Sequence, residues 1–155
     1  MFRKKFTAAA AVFMTILTMM LAGCSEYEMT AEDLAIQKSL QGYWSADAST
    51  GYNSYDEEGI PTNILVVEFT GDFKYFIHEC DFENNMVMTY DPISYSIEEE
   101  LFKVVEGSKA SYARASVSEN GTVLSWIANG QTEIYNRLDE EAARAFGIPE
   151  YKAET

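Results

Sequence analysis

The stretch Ser111–Leu138, SYARASVSENGTVLSWIANGQTEIYNRL, decides the fold. It holds two Asn-Gly pairs, Asn120-Gly121 and Asn129-Gly130, nine positions apart. Both residues of such a pair tolerate a positive φ, which a two-residue type I′ hairpin turn requires. Runs rich in β-branched and aromatic residues flank each pair. The spacing therefore predicts three consecutive antiparallel strands of about seven residues each, a meander.

The chain upstream extends this meander. Gln41–Ala48 reads as a first strand, followed by a polar loop, Ser49–Pro61 (STGYNSYDEEGIP). Thr62–Thr70 (TNILVVEFT) and Phe73–Cys80 (FKYFIHEC) read as strands around a Gly71-Asp72 turn. Met86–Tyr90 is a weaker strand that ends before Pro92, which cannot donate to a ladder. Ile93–Glu98 and Leu101–Glu106 follow, separated by Glu99-Glu100. Eight or nine short strands joined by turns of about two to five residues indicate an all-β fold. Consecutive hairpins favour an antiparallel up-and-down barrel over a Greek-key sandwich, and closure removes exposed edges. Two short helices flank it. Thr30, with Asp33 three residues on, forms a variant capping box before Ala31–Leu40, with Ile36 and Leu40 on one face. Asp139–Phe146 begins with an Asp N-cap and acids, and places Ala142 and Phe146 on one face.

The chain has 155 residues, which suits one domain, and a formal net charge of −14. Three of its 11 basic residues, Arg3, Lys4 and Lys5, lie at the extreme N-terminus, so the body is more acidic still. Such a body repels phosphate, which argues against nucleic acid as a partner. It also repels anionic headgroups, which argues against membrane binding through a basic face.

The N-terminus reads as an address. MFRKK is basic, Phe6–Ala22 is a 17-residue apolar run, and Gly23-Cys24 precede the polar SEYE. This is the layout of a secretory signal, and it is short for a membrane-spanning helix. Leu21-Ala22-Gly23-Cys24 resembles the lipobox of bacterial lipoproteins. The resemblance implies a signal peptide at 1–23 and a mature N-terminus at Cys24 carrying a diacylglyceryl thioether. A lipidated tether at 24–30 and a folded domain at 31–155 would follow, held outside the cytoplasm on a bacterial membrane. Two or more acyl chains anchor a protein stably, whereas one holds only marginally. The alternatives are an ordinary signal peptide with an incidental cysteine, or a retained anchor helix.

A second resemblance rests on three features: a helix running into Gly42-Tyr43-Trp44, an antiparallel meander, and Arg137 near the end of the last strand. Together they resemble the lipocalin and wider calycin pattern, over about Ile36–Leu138. The resemblance implies that Trp44 closes one barrel end and that Arg137 covers it, a contact that cation–π attraction favours. The match looks closest to small bacterial lipocalin-like lipoproteins.

Little in the chain suggests catalysis. His78, the sole histidine, shares a strand face with Cys80. No second histidine completes a metal set, so a structural role is the plainer reading. Asp56-Glu57-Glu58-Gly59 lacks the alternating acids of a calcium loop. Glycine-rich phosphate loops and hydrolase motifs are absent from the sequence. No cofactor is expected. Aromatic side chains are more informative. Trp44, Phe69, Tyr75, Tyr95, Tyr112 and Trp126 sit on expected strands. They either fill the bore as core or line a pocket for one small ligand. Tyr75, Tyr95, Tyr112 and Trp126 are the ligand-binding candidates, because phenol hydroxyls are awkward in a dry core. The expectation is a non-enzymatic cell-envelope lipoprotein that binds a small, mostly apolar ligand. The alternative is an envelope interaction or sensor module with a filled bore.

Overall fold

A computed structural model describes residues 27–153. The expected leader, Cys24 and the start of the tether lie outside the described residues. Helix α1 (Ala31–Leu40) leads into β1 (Gly42–Ala46) and a 3-10 turn (Ala48–Thr50). Then come β2 (Ser54–Tyr55), β3 (Pro61–Phe69), β4 (Lys74–Asp81), β5 (Met86–Thr89), β6 (Ile93–Ser94) and β7 (Ser96–Glu98). The chain continues through β8 (Leu101–Glu106), β9 (Lys109–Val117), β10 (Val123–Ala128), β11 (Gln131–Leu138) and helix α2 (Glu140–Ala145).

The pairings described between these strands are antiparallel, in the order β5-β4-β3-β1-β11-β10-β9-β8-β7. First and last strands are thus neighbours: Trp44 of β1 faces Val67 of β3 on one side and Arg137 of β11 on the other. Among the described residues there are eleven strands, more than the eight or nine expected, and their hydrogen-bonded sheet does not close into a barrel. One reason lies in Ile93–Glu98, which reads as a single strand but breaks at Tyr95. The Tyr95 N–H donates to the Phe73 carbonyl at 3.0 Å. Residues before it pair with β4 (Lys74↔Ser94, Tyr75↔Ile93), and residues after it pair with β8. No single ladder therefore joins the two sheet ends.

The two Asn-Gly turns differ. Asn129 and Gly130 both have positive φ, 51° and 74°, and join β10 to β11 in a two-residue turn. Around Asn120 the connection is longer, Ser118–Thr122, and only Gly121 is left-handed. Here the Asn120 side chain is used as an acceptor: the hydroxyls of Ser118 and Thr122 both donate to its Oδ1 at 2.7 Å. A side chain tied this way favours a five-residue loop over a tight turn.

Helix α1 lies across one end of the sheet. Its buried residues are Asp33, Gln37 and Leu40, with Ile36 only half-buried, so two of its three buried side chains are polar. Each has partners. Gln37 Nε2 reaches the Thr70 carbonyl at 3.4 Å. The Asp33 carboxylate accepts from Tyr27 Oη at 2.6 Å, Thr30 N at 2.9 Å and Glu100 N at 2.8 Å. Glu99 N in turn donates to Tyr27 Oη at 2.6 Å. These bonds hold the β7–β8 turn, where Glu99 and Glu100 both take positive φ, 51° and 63°. Such backbone costs a non-glycine residue about 1 kcal/mol or more, and the anchored amides offset it.

The sheet has an apolar layer on each face. Trp44, Phe69, Phe73, Tyr95, Ile97, Phe102, Leu124 and Leu40 form the inner one. Tyr43, Val66, Cys80, Ala143 and Ile148 form the outer one. Period-two alternation sorts them: Tyr43 and Trp44 are adjacent in sequence and lie in different layers. The anchors of the C-terminal segment are Ala143 and Ile148 rather than Ala142, while Phe146 is half-buried and packs on Phe82 at 5.0 Å.

Candidate functional site

The register gives the inner face two unlike ends. At the α1 end lie Gly42, Phe69, Tyr75, Phe73 and Arg137. At the far end lie the Glu106–Lys109 and Ala128–Gln131 turns and the Asn63–Asp81 pair.

The α1 end is sealed around Trp44, which has no exposed surface. Its Nε1 donates to the Leu40 carbonyl at 2.7 Å. Arg137 lies over its ring, with Cζ 4.0 Å from the ring centroid. The guanidinium also donates to Gln41 O at 2.6 Å, Ser39 O at 2.9 Å and Gly121 O at 2.9 Å. Two of these carbonyls sit at the C-terminus of α1, where carbonyls lack intrahelical partners. Gly42 makes room: its φ is +112°, and a Cβ there would lie 2.9 Å from Arg137 Nη1.

Beyond Trp44 the inner face carries a ring cluster. Tyr95 stacks on Phe102 at 4.5 Å, and Phe102 meets Trp126 edge-on at 4.6 Å. Phe69 touches Tyr95, Tyr75 and Phe102, each at about 6 Å between centroids. Tyr95 is buried, its hydroxyl has no hydrogen-bond partner among the described residues, and burial pushes its phenol well above the ordinary range.

Two cavities flank this cluster. One of about 190 Å3 is walled by Val67, Phe69, Tyr75, Leu124, Trp126 and Tyr135. The other, about 500 Å3, opens toward the far end between Tyr75, Phe102, Val104, Glu106 and Trp126. Tyr75 and Trp126 belong to both. Tyr75 makes no side-chain hydrogen bond among the described residues. Burial, and then the nearby charge of Glu106, raise its phenol pKa. Tyr135 Oη donates to Glu133 at 2.8 Å, and Tyr52 Oη donates to the same carboxylate.

The four expected ligand residues therefore separate. Tyr75 and Trp126 wall the cavities. Tyr95 is packed into the ring cluster behind them. Tyr112 borders the larger cavity, but alternation along β9 turns its ring outward. It is 51% exposed and lies beside Lys103, whose Nζ is 5.9 Å from the ring centroid. Phe102, Tyr135 and Glu133 belong to the site and were not singled out from sequence. Phe102 could have been found by counting in twos from Val104, whereas Glu133 reads as one more surface acid until its partners are known.

His78 and Cys80 face the outer layer, away from the cavities. His78 Nε2 lies 2.9 Å from Glu68 Oε2, and Nδ1 lies 2.8 Å from Thr89 Oγ1. Both ring nitrogens are thus occupied. Cys80 has no exposed surface, and burial pushes its thiol up to about 11. No cluster of three or more metal-ligating side chains occurs among the described residues. No described helix is long and apolar enough to cross a membrane.

No family model matches the chain, and no curated protein matches it.

Proposed function

We propose that the protein is an exported lipoprotein of the bacterial cell envelope, anchored through Cys24, that binds a small, mostly apolar ligand against the inner face of its sheet without transforming it. The observation that carries this reading is the pair of aromatic-walled cavities that share Tyr75 and Trp126. The larger of the two, about 500 Å3, suits a ligand of drug-like dimensions. Sealing of one end by Trp44, Arg137 and α1, with the other left open, gives such a ligand one route in. We read the strand interrupted at Tyr95 as the seam of a lipocalin-like barrel, since it pairs with β4 before the break and with β8 after it.

The anchor has a geometric consequence. Tyr27 is bonded to the turn at the sealed end and lies three residues beyond Cys24. Three residues reach at most about 11 Å. A lipid on Cys24 would therefore hold the sealed end near the bilayer and turn the open end toward the aqueous compartment. The ligand would be exchanged with that compartment rather than drawn sideways from lipid.

Native mass spectrometry of the protein purified from its own host tests the reading. A retained small-molecule mass that disappears on unfolding supports it. A bare mass from every preparation, together with no shift on adding apolar compounds, overturns it. The second reading, an interaction module, draws on Ile60, Phe82, Met86, Val105 and Ile127, exposed apolar side chains at or beside the open end. It predicts capture of an envelope protein that is lost when Met86 and Ile60 become serine.

A further inference from the structure

The open end is acidic on its inner side. Alternation along the strands puts Glu79 with Tyr75 and Ile77, Glu106 with Phe102 and Val104, and Glu133 with Tyr135. Tyr75, Ile77 and Tyr135 wall the smaller cavity, while Phe102, Val104 and Glu106 itself wall the larger. Glu133 is also the cross-strand partner of Trp126, the ring shared by both cavities. Glu106 thus walls the larger cavity, and Glu79 and Glu133 stand on the same inner face nearby. Lys109, the cross-strand partner of Glu106, offsets one of them. Two independent features point from this mouth to a ligand. The cavities are open space next to ring faces, which attract cations as well as apolar bodies. The Tyr75 hydroxyl, which borders both, has no hydrogen-bond partner among the described residues and is free to bond one.

We infer that the ligand is an apolar or aromatic molecule bearing a positive charge, with its body between Tyr75, Phe102 and Trp126 and its cationic group among Glu106, Glu79 and Glu133. This rests on the cavities being a binding site, and it adds the charge class. The physical case is one of placement. A cation at the mouth meets the exposed Glu106 and the half-buried Glu79 and Glu133, of which Glu133 already accepts from Tyr52 and Tyr135 and none makes an ion pair with a lysine or arginine among the described residues. An anion of the same body meets the same carboxylates, and repulsion adds to the cost of leaving water. The remaining acidic surface favours cations in the encounter as well, through long-range steering.

The test uses three probes with one body and different charge: 1-naphthylmethylammonium, 1-naphthylmethanol and 1-naphthoate. Binding is followed by tryptophan fluorescence on the full protein in discs of zwitterionic lipid, with empty discs subtracted. The expected order is cation, neutral, anion, with the cation favoured over the neutral probe by about fivefold or more at low salt. The preference should shrink in about 0.3 M salt, because part of the site is solvated. In Glu106→Gln and Glu79→Gln the ratio of cation to neutral affinity should fall toward one. Equal binding of cation and neutral probe, or tighter binding of the anion, overturns the inference and leaves the cavity reading standing. If none of the three probes changes the fluorescence, the cavity reading itself fails, and this inference with it. The charge series on the unmodified protein decides the matter even where a glutamine variant does not fold.

Discussion

Arg137 joins three parts of the protein that are distant in sequence: the Trp44 ring, the last carbonyls of α1 and the turn at Gly121. Arg137→Ala removes the stacking and leaves those carbonyls without a partner, so unfolding should become easier by about 2–4 kcal/mol in denaturant titrations. Arg137→Lys should recover little of this, because one ammonium cannot reproduce a planar fork that bonds three acceptors while covering a ring. Gly42→Ala should cost about 1–3 kcal/mol, since the methyl meets Arg137 Nη1 and the backbone is left-handed. A result within error of the parent for either variant would show that the seal does not depend on these contacts. On the outer layer, the buried Cys80 thiol should stay unreactive to a thiol reagent at neutral pH and react at once when the protein unfolds. Fast labelling of the folded protein would contradict the described packing. At this scale the sequence is partly legible. The G-x-W pattern and a late arginine point to the Trp44–Arg137 pair, because ring and guanidinium chemistry favours their contact. Nothing in the residue types distinguishes Tyr95 in the ring cluster from Tyr75 at the cavity wall, as both are tyrosines on strands and only three-dimensional packing separates them.

Among the elements, α1 depends on a buried carboxylate more than on an apolar face. Burial alone would raise the Asp33 pKa, but bonds from Tyr27, Thr30 and Glu100 outweigh it and hold the group below its ordinary value of 3.8. The same contact, with burial as the larger cause, pushes the Tyr27 phenol up to about 12. Because the folded-state value of Asp33 is depressed, its stabilisation is complete above the unfolded value and is lost as pH falls through the folded one. The loss therefore falls below pH 3.8. Denaturant midpoints measured from about pH 5 down to about pH 2.5 should drop more for the parent than for Asp33→Asn. Equal slopes would show that this carboxylate is not the acid-sensitive group. Asp33→Ala should destabilise by about 2–4 kcal/mol at neutral pH, because two positive-φ glutamates lose their anchors. The Thr30–Asp33 spacing was readable as a helix start. That the same Asp33 also fastens a turn 67 positions away was not, because no local pattern encodes that contact. The break at Tyr95 was likewise hidden: Ile93–Glu98 alternates as a strand should, and only competition between β4 and β8 for its backbone divides it.

For the whole molecule, the antiparallel all-β architecture and its two short helices were legible from turn chemistry and alternation, which act locally. Strand count and closure depend on pairing between segments far apart, and there the structure departs from the expected continuous barrel. The cavities follow from how the ring cluster stops short of filling the inner face. Tyr75→Ala or Trp126→Ala, each removing a wall common to both cavities, should therefore weaken binding of an apolar probe about tenfold or more while leaving a folded protein. Unchanged binding in both would place the site elsewhere. The most direct measurement is a crystal structure of the protein grown with 1-naphthylmethanol. The naphthyl ring should lie on the inner face between Tyr75 and Trp126, with its hydroxyl toward the open end. A space between Tyr75 and Trp126 filled by the protein's own side chains, with the naphthyl ring absent or seated on the outer face of the sheet, would show that the inner face is not the binding site.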